Sequence, residues 1–167
     1  MHSIVIMGVA GCGKSSLGEA VARATGLPLV EGDDHHSPAN RDKMARGIAL
    51  TDADRQDWLA TLGAQLQAHP GGVVVTCSAL KRAYRERLRL AAASLRFAFL
   101  DINQADAQAR VSARSAHFFS TSLVDNQFAT LESPVGEPGV LRLDATLSLA
   151  QLQAAVTDWL AATQESA

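Results

Sequence analysis

Short runs of apolar residues alternate along the chain with longer segments in which apolar positions recur every three or four residues. The continuous runs predict buried strands, and they lie at 3–7, 29–30, 73–77, 97–100 and 140–143. The recurring pattern predicts helices at 14–25, about 38–47, 52–70, 80–92, 104–113, about 122–132 and from 148 onward. Strands that alternate with helices predict a parallel sheet covered on both faces. We therefore predict an α/β protein, a three-layer α/β/α sandwich around a five-stranded parallel sheet.

Local signals support the boundaries of these helices. Gly26 and Pro28 follow the first helical segment, as glycine and proline commonly do at helix C-termini. Thr51 with Asp54 resembles a capping box at the start of the long third helix. No internal repeat or low-complexity linker interrupts the pattern, so we expect residues 1–167 to form a single domain.

The turn after the first strand carries the most specific motif of the chain. Residues 8–15 read Gly-Val-Ala-Gly-Cys-Gly-Lys-Ser, which matches the P-loop pattern G-x-x-x-x-G-K-[ST] between a strand and a helix. In such a loop the backbone curls around a phosphate chain, and the helix N-terminus points at the anion. Lys14 is then expected to reach the β- and γ-phosphates, and the Ser15 hydroxyl to bind Mg²⁺. The motif predicts a nucleoside triphosphate site.

The charge balance and the remaining composition narrow the class of protein. The chain has 15 Lys and Arg against 17 Asp and Glu, and this near-neutral total does not favour a nucleic-acid partner. The two cysteines lie in different predicted elements, so neither a zinc site nor a disulfide framework is indicated. The first residues lead directly into a strand, and no apolar run approaches the length of a membrane span. We expect a cytoplasmic protein without a membrane partner.

Two groups of polar residues follow predicted strands, at the edge where a parallel sheet binds its ligands. After the second strand come Asp33, His36 and Asn40, and a carboxylate there can take the proton of an attacking hydroxyl. The alternative is that Asp33 or Asp34 only caps the next helix.

The second group follows the 73–77 strand. Lys81 and Arg85 lie one helical turn apart, as suits an anionic substrate, although a solvated basic face has the same pattern. No acid ends this strand, so beyond Ser15 we expect water to complete the Mg²⁺ shell.

Three longer motifs resemble the gluconate kinase family. The first is G-D-x-x-H, then N-x-x-K-M-x-x-G-x-x-L-x-D-x-D-R-x-x-W-L, and it is matched within residues 32–59. The second, C-S-A-L-K-x-x-Y-R, is matched by residues 77–85. The third, R-x-x-A-R-x-x-H-F-F followed by L-x-x-x-Q-F-x-T-L-E, is matched by residues 110–132. Together with the P-loop they cover the chain to about residue 134 in unbroken order.

This resemblance implies a nucleoside-monophosphate-kinase-like fold, usually dimeric, that uses ATP and Mg²⁺ to phosphorylate D-gluconate at its 6-hydroxyl. It implies that Asp33 orients or deprotonates that hydroxyl and that Lys14 acts on the phosphates. The substrate-binding set is then Asp33, His36, Asn40, Lys81, Arg85, His117 and Gln127. The nucleotide-binding set is Gly8, Gly11, Cys12, Gly13, Lys14, Ser15, Ser16, Arg110 and Arg114. The segment of about 110–121 would form a lid over ATP.

The chain departs from the family pattern at three places. The proline after the histidine is displaced to Ser37-Pro38, and Ile48-Ala49 lacks the usual proline before Leu50. Ser115-Ala116 stands where the lid often has Lys-Gly, which removes a cation and a flexible glycine.

Two alternatives remain at this point. One is another small-metabolite kinase of the same fold; a shikimate kinase, however, would be expected to show Asp-x-Asp and Gly-Gly-Gly, where this chain has Asp33-Asp34 and Cys77-Ser78-Ala79. The other is a P-loop module that binds nucleotide without catalysis. A GTPase switch would need N-K-x-D and D-x-x-G motifs, and neither occurs.

Overall fold

The computed structural model describes residues 2–113 and 121–165. The strands are β1 (Ile4–Met7), β2 (Leu29–Glu31), β3 (Val74–Thr76), β4 (Arg96–Asp101) and β5 (Val140–Asp144). The helices are α1 (Lys14–Thr25), α2 (Pro38–Ala45), α3 (Asp52–Ala68), α4 (Arg82–Ala91), α5 (Gln104–Ala113), α6 (Thr121–Thr130) and α7 (Leu149–Glu165). The alternation predicted from the apolar pattern is confirmed, and most boundaries agree within about two residues.

The five strands form one parallel sheet in the order β2-β3-β1-β4-β5. Ile6 of β1 is aligned with Thr76 of β3 on one side and with Ala98 of β4 on the other. The connection after β1 runs to β2 on one side of the sheet, and the connection after β3 crosses to β4 on the other side. Such a reversal between adjacent strands, here β1 and β3, is where an open α/β sheet has its ligand crevice. The P-loop and the turn after β2 therefore open on the same edge.

Side chains that alternate along the strands pack into two separate apolar layers. Ile4 and Ile6 of β1 face α1 and α7, where they meet Leu17 and Val156. Val5 and Met7 face α3 and α4 in the opposite layer. This arrangement confirms a three-layer α/β/α sandwich. Within the described part of the chain, no helix combines the length and the apolar character needed to cross a membrane.

The capping interactions explain where the helices on the substrate side begin. The Asp54 N–H donates to the Thr51 hydroxyl (3.1 Å) and the Asp54 carboxylate accepts from the Thr51 N–H (2.9 Å), so the predicted capping box is present. Ser37 caps α2 by accepting from the Asn40 N–H at 3.1 Å. Because Ser37 does this, Asp33 and Asp34 are not the caps of α2.

Residues Gly32–His35 form a single 3-10 turn that the apolar pattern does not predict. Gly32 lies against β3 so closely that a Cβ at this position would be 2.0 Å from the carbonyl oxygen of Thr76. Only glycine allows this approach. The turn presents Asp33 and Asp34 at the edge of the sheet.

Candidate active site

The P-loop is shaped by glycines whose conformations exclude other residues. Gly8, Gly11 and Gly13 all have positive φ angles, of 148°, 82° and 99°. A Cβ on Gly11 would be 2.8 Å from the carbonyl oxygen of Ala107, and one on Gly8 would be 2.7 Å from Cys12 Sγ. Gly13 is the N-cap residue of α1, and among the described residues no side-chain capping bond is made at the start of this helix. The first N–H groups of α1 are therefore available to an anion.

Lys14 bends back over this loop. Its Nζ donates to the carbonyl oxygens of Gly8 (3.0 Å) and Val9 (3.1 Å). These bonds hold the ammonium at the concave side of the loop, and Cys12 is buried beneath it. A fixed cation at this position is suited to the phosphate chain of a nucleotide.

Ser15 meets an acid that sequence analysis missed. Its hydroxyl donates to Glu31 Oε2 at 3.1 Å, and the Thr76 hydroxyl donates to the same oxygen at 2.6 Å. Glu31 ends β2, next to Thr76 in the sheet register. Sequence analysis predicts water at this position because no acid ends the 73–77 strand, whereas the acid comes from the end of β2. The signal that could have found it is the acidic residue directly after the apolar pair Leu29-Val30.

His36 is held between an aromatic ring and a carboxylate. It is buried and stacks on Trp58, with ring centroids 4.2 Å apart, and Trp58 Nε1 donates to the Gly32 carbonyl oxygen at 2.7 Å. His36 Nε2 lies 3.9 Å from Oδ1 of Asp33, whose side chain is exposed. Burial lowers the pKa of His36 from 6.5 to about 4, against an opposing effect of Asp33. The imidazole is therefore neutral at pH 7.

Asp54 joins α2 to α3 through both its side chain and its backbone. Lys43 Nζ donates to the two carboxylate oxygens at 2.9 and 2.8 Å, and Asn40 Nδ2 donates to the Asp54 carbonyl oxygen at 2.8 Å. The bonds from Lys43 and from the Thr51 N–H lower the pKa of Asp54 to about 2. The same Asn40 amide also contacts the His36 ring, Nδ2 to Nδ1 at 3.3 Å, and so supports the imidazole.

A cavity of about 410 Å³ joins the P-loop to the turn after β2. Of the predicted site residues, those that line it are Gly11, Gly13, Lys14, Ser15, Ser16, Asp33, His36 and Gln127. Residues that line it but were not predicted include Glu31, Arg41, Arg55, Trp58 and Ser78. Gln127 Oε1 accepts from the N–H of Ala10 in the P-loop at 2.7 Å, which attaches α6 to the nucleotide side.

Arg110 lies against the outside of the P-loop. Its guanidinium donates to the carbonyl oxygens of Gly11 (3.2 Å), Cys12 (3.3 Å) and Ala145 (2.9 Å). It is thus close to the predicted nucleotide site. Two other predicted residues, Arg114 and His117, lie outside the described residues, as does most of the predicted lid.

Lys81 is engaged outside the cavity. Its Nζ donates to both oxygens of Asp52, at 3.0 and 3.2 Å, and these bonds raise the pKa of Lys81. The structure does not bring Lys81 to the cavity wall. Its surroundings therefore do not support the direct substrate contact that the family resemblance implies.

Arg85 has a structural environment. It is fully buried, donates to Glu137 at 3.0 and 2.6 Å, and donates also to the carbonyl oxygens of Ala79 (2.8 Å) and Leu80 (3.1 Å). Burial would raise the pKa of Glu137, but the bonds from Arg85 and Arg89 outweigh it and lower that pKa. The guanidinium of Arg85 thus holds the loop of Glu137 against α4 and does not line the cavity, which favours a structural role over the predicted substrate contact.

A P-loop, a hydroxyl-acid pair at its first helix and a carboxylate across the same cavity are the parts that phosphoryl transfer needs. The fold and the site thus define a P-loop kinase, a nucleotide-binding enzyme.

Comparisons with known proteins agree with this class. A family model described as AAA domain matches residues 4–134. A gluconokinase of Gluconobacter oxydans is 42% identical over 144 residues, covering 84% of this chain and 80% of the relative. The crystal structure of a gluconokinase from Sinorhizobium meliloti is 45% identical with a TM-score of 0.91, over 99% of this chain and 94% of the other. The chain belongs to this domain family and, within it, to the gluconokinase family.

A more distant structure supports the fold alone. The APS kinase of Mycobacterium tuberculosis is 23% identical and has a TM-score of 0.69, over 95% of this chain and 97% of the other. The predicted nucleoside-monophosphate-kinase-like fold is confirmed.

Proposed function

We propose that the protein transfers the γ-phosphoryl group of ATP to the 6-hydroxyl of D-gluconate, giving 6-phospho-D-gluconate and ADP. The observation that carries this proposal is that Lys14 and Ser15 line the same cavity as Asp33 and His36. A phosphoryl donor on the P-loop thus shares one space with a carboxylate that can act on an acceptor hydroxyl. The gluconokinase relatives supply the choice of acceptor.

Asp33 is the group that acts on the acceptor. Its exposed carboxylate accepts a hydrogen bond from the 6-hydroxyl, orients the oxygen toward the γ-phosphorus and takes the proton as the O–P bond forms. Lys14 stabilises the negative charge on the phosphoryl oxygens as the bond to ADP breaks. The neutral ring of His36 lies beside Asp33, with Nε2 3.9 Å from Oδ1.

The residues at the start of α1 fit a bound Mg²⁺. Magnesium binds oxygen ligands and commonly keeps several waters, and the Ser15 hydroxyl and the Glu31 carboxylate already meet there at 3.1 Å. Ser15 would bind the ion directly and Glu31 would hold it directly or through water. When bound, the ion neutralises charge on the β- and γ-phosphates.

Three further properties belong to this proposal. The family resemblance supports a homodimer, the absence of a candidate membrane helix in the described part supports a cytoplasmic location, and near-neutral charge supports the absence of a nucleic-acid partner. Light scattering of the eluting protein tests the first of these. A mass near twice 17.6 kDa is expected.

Measurement of ADP release tests the activity. Purified protein with ATP and Mg²⁺ is assayed against gluconate, shikimate, related sugar acids and nucleoside monophosphates. We expect turnover on gluconate and a loss of kcat of about 10²- to 10⁴-fold in Asp33→Asn. Asp34→Asn, which changes the exposed neighbouring acid, is the matched control and should retain kcat within about threefold.

Each contrary result points to one of the alternatives. Turnover on another acceptor would identify a different small-metabolite kinase. ATP binding without turnover on any acceptor would indicate a non-catalytic nucleotide module.

A further inference from the structure

Among the described residues three cationic side chains line the cavity, and two of them have partners within the protein. Lys14 is bound to the P-loop carbonyls. Arg41 donates to the Asp33 carbonyl oxygen at 3.2 Å and lies 3.9 Å from Asp34 Oδ1. The third is Arg55, which is half-buried on the first turns of α3. No carboxylate among the described residues lies within 4.0 Å of its guanidinium, whereas Arg41, Lys43, Lys81 and Arg85 each have one.

Arg55 is instead held by a neutral group. Its Nη1 donates to the Tyr84 hydroxyl oxygen at 3.1 Å, and the guanidinium carbon lies 5.4 Å from the centre of the Tyr84 ring. A neutral hydroxyl fixes the direction of the guanidinium without neutralising its charge. No other acceptor in the described part of the chain engages Arg55, so its remaining N–H donors are available to an anion, in the forked geometry that suits a carboxylate.

A chain of hydrogen bonds sets the direction of Tyr84. Its hydroxyl donates its only proton to Asp52 Oδ1, so its oxygen is left to accept from Arg55. Lys81 donates to both oxygens of Asp52 and balances that charge. Burial and the Asp52 bond raise the pKa of Tyr84, so the hydroxyl stays protonated. Lys81 does not line the cavity, but it helps to orient Arg55 through Asp52 and Tyr84.

From this arrangement we propose that Arg55 binds the carboxylate of the acceptor and selects acids over uncharged polyols, with Tyr84, Asp52 and Lys81 as its positioning residues. The inference rests on the proposed function and names the group that decides its substrate class. In an aldonate the carboxylate lies at the opposite end of the carbon chain from the primary hydroxyl. Binding one end at Arg55 therefore leaves the other end for Asp33.

The same helix carries the contacts that hold the acceptor side together. One turn after Arg55, Trp58 stacks on His36 and donates to the carbonyl oxygen of Gly32, the residue before Asp33. Arg55 is also close enough to His36 to contribute to lowering its pKa. The anion-binding group and the residue that acts on the hydroxyl are thus fixed to one structural element.

Discrimination between a charged and an uncharged acceptor tests the proposal. The kcat/KM is measured for D-gluconate and for D-gluconamide, in which a neutral amide replaces the carboxylate. We expect Arg55→Gln to lower kcat/KM for gluconate by about 100-fold, through KM, and to leave the value for gluconamide within about threefold. Arg55→Lys should recover only part of the loss, because an ammonium lacks the fork.

Arg41→Gln is the matched control, since it removes the other arginine that lines the cavity, and it should keep the preference for gluconate. Tyr84→Phe keeps the charge of Arg55 but removes the hydroxyl that accepts its hydrogen bond. It should raise KM for gluconate about tenfold with kcat little changed. ATP affinity, measured by calorimetry, should stay within about twofold in every variant and shows that each has folded.

The outcomes separate this proposal from the proposed function. If the unmodified protein phosphorylates gluconate and Arg55→Gln keeps its preference for the acid, or if Arg41→Gln loses it, the assignment of Arg55 is overturned. If the unmodified protein does not phosphorylate gluconate, the proposed function fails instead. In that case binding of gluconate, followed by Trp58 fluorescence in the unmodified protein and in Arg55→Gln, still decides whether Arg55 binds the carboxylate.

Discussion

Asn40 determines which nitrogen of His36 carries the proton. The Nδ2 of Asn40 donates to the carbonyl oxygen of Asp54 at 2.8 Å, which fixes the orientation of the amide, and lies 3.3 Å from His36 Nδ1. Nδ1 must therefore accept, and the neutral imidazole carries its proton on Nε2, on the side of Asp33. The buried histidine thus points a hydrogen-bond donor toward the carboxylate that acts on the acceptor.

The lowered pKa of His36 predicts a specific dependence of stability on pH. Between about pH 4 and pH 6.5 the unfolded chain binds a proton at His36 that the folded chain does not. The contribution of neutral His36 to stability is complete above pH 6.5. It is lost as the pH falls toward 4, by at most about 1.4 kcal/mol per pH unit.

Urea unfolding of the protein and of His36→Gln between pH 4.5 and 7.5 measures this effect. The difference in free energy of unfolding between the two proteins should shrink as the pH is lowered. Parallel curves across the whole range would contradict a buried neutral histidine.

A second prediction concerns the ion pair of Arg85 and Glu137. Arg85→Met leaves Glu137 buried with only part of its compensation, and it should lower the free energy of unfolding by about 3–5 kcal/mol. The KM for gluconate of the folded protein should change less than twofold, because Arg85 does not line the cavity.

Arg82→Met, on the exposed side of the same helix, is the control and should change stability by less than about 0.5 kcal/mol. Arg85→Met protein that keeps its stability but loses affinity for gluconate would restore the role implied by the family resemblance.

Most of the fold could be predicted from the sequence, because its signals are local. The apolar runs, the glycines of the P-loop and the Thr51–Asp54 capping box each act within a few residues, and each was found. The position of Asp33 and His36 beside the P-loop could also be predicted, since both lie within five residues of the end of β2, and both line the cavity.

The side-chain environments that the sequence did not predict depend on contacts between distant parts of the chain. Arg85 pairs with an acid 52 residues later, in a loop whose position no local pattern fixes. Arg55 enters the cavity because Tyr84, 29 residues away, holds it there. A basic stripe on a helix looks the same whether its partner is a substrate or another part of the protein.

A third prediction concerns the acid that faces Ser15. Glu31→Gln should raise the Mg²⁺ concentration needed for half-maximal activity by about 10- to 100-fold, because it removes the charge beside the Ser15 hydroxyl. Titration of activity with Mg²⁺ at saturating ATP measures the change. Glu19→Gln, at an exposed position one turn further along α1, serves as the control and should leave the titration unchanged.

A fourth prediction concerns the close contact behind Asp33. Gly32→Ala places a Cβ 2.0 Å from the Thr76 carbonyl oxygen, so β2 and β3 must separate or the turn must shift. We expect a loss of about 1–3 kcal/mol in the free energy of unfolding and a lowered kcat, because the turn carries Asp33.

Gly71→Ala, where nothing lies within 4 Å of the added Cβ, should change neither quantity. Thermal unfolding and the ADP-release assay give the two values. Equal behaviour of the two alanine variants would show that the turn adapts without cost.

The bonds made by Asp54 have a consequence for redesign of the acceptor. This one residue ties Lys43 and Asn40 of α2 to the first turn of α3, and its pKa of about 2 keeps the tie charged even in acidic solution. The bonds that hold α2 against α3 therefore do not depend on the side chains that face the acceptor, and those side chains can be substituted without loss of this structure. Libraries that vary positions 41, 44, 50 and 55, all of which line the cavity, while keeping 40, 43, 51 and 54 constant, should retain folded kinases while sampling new acceptors.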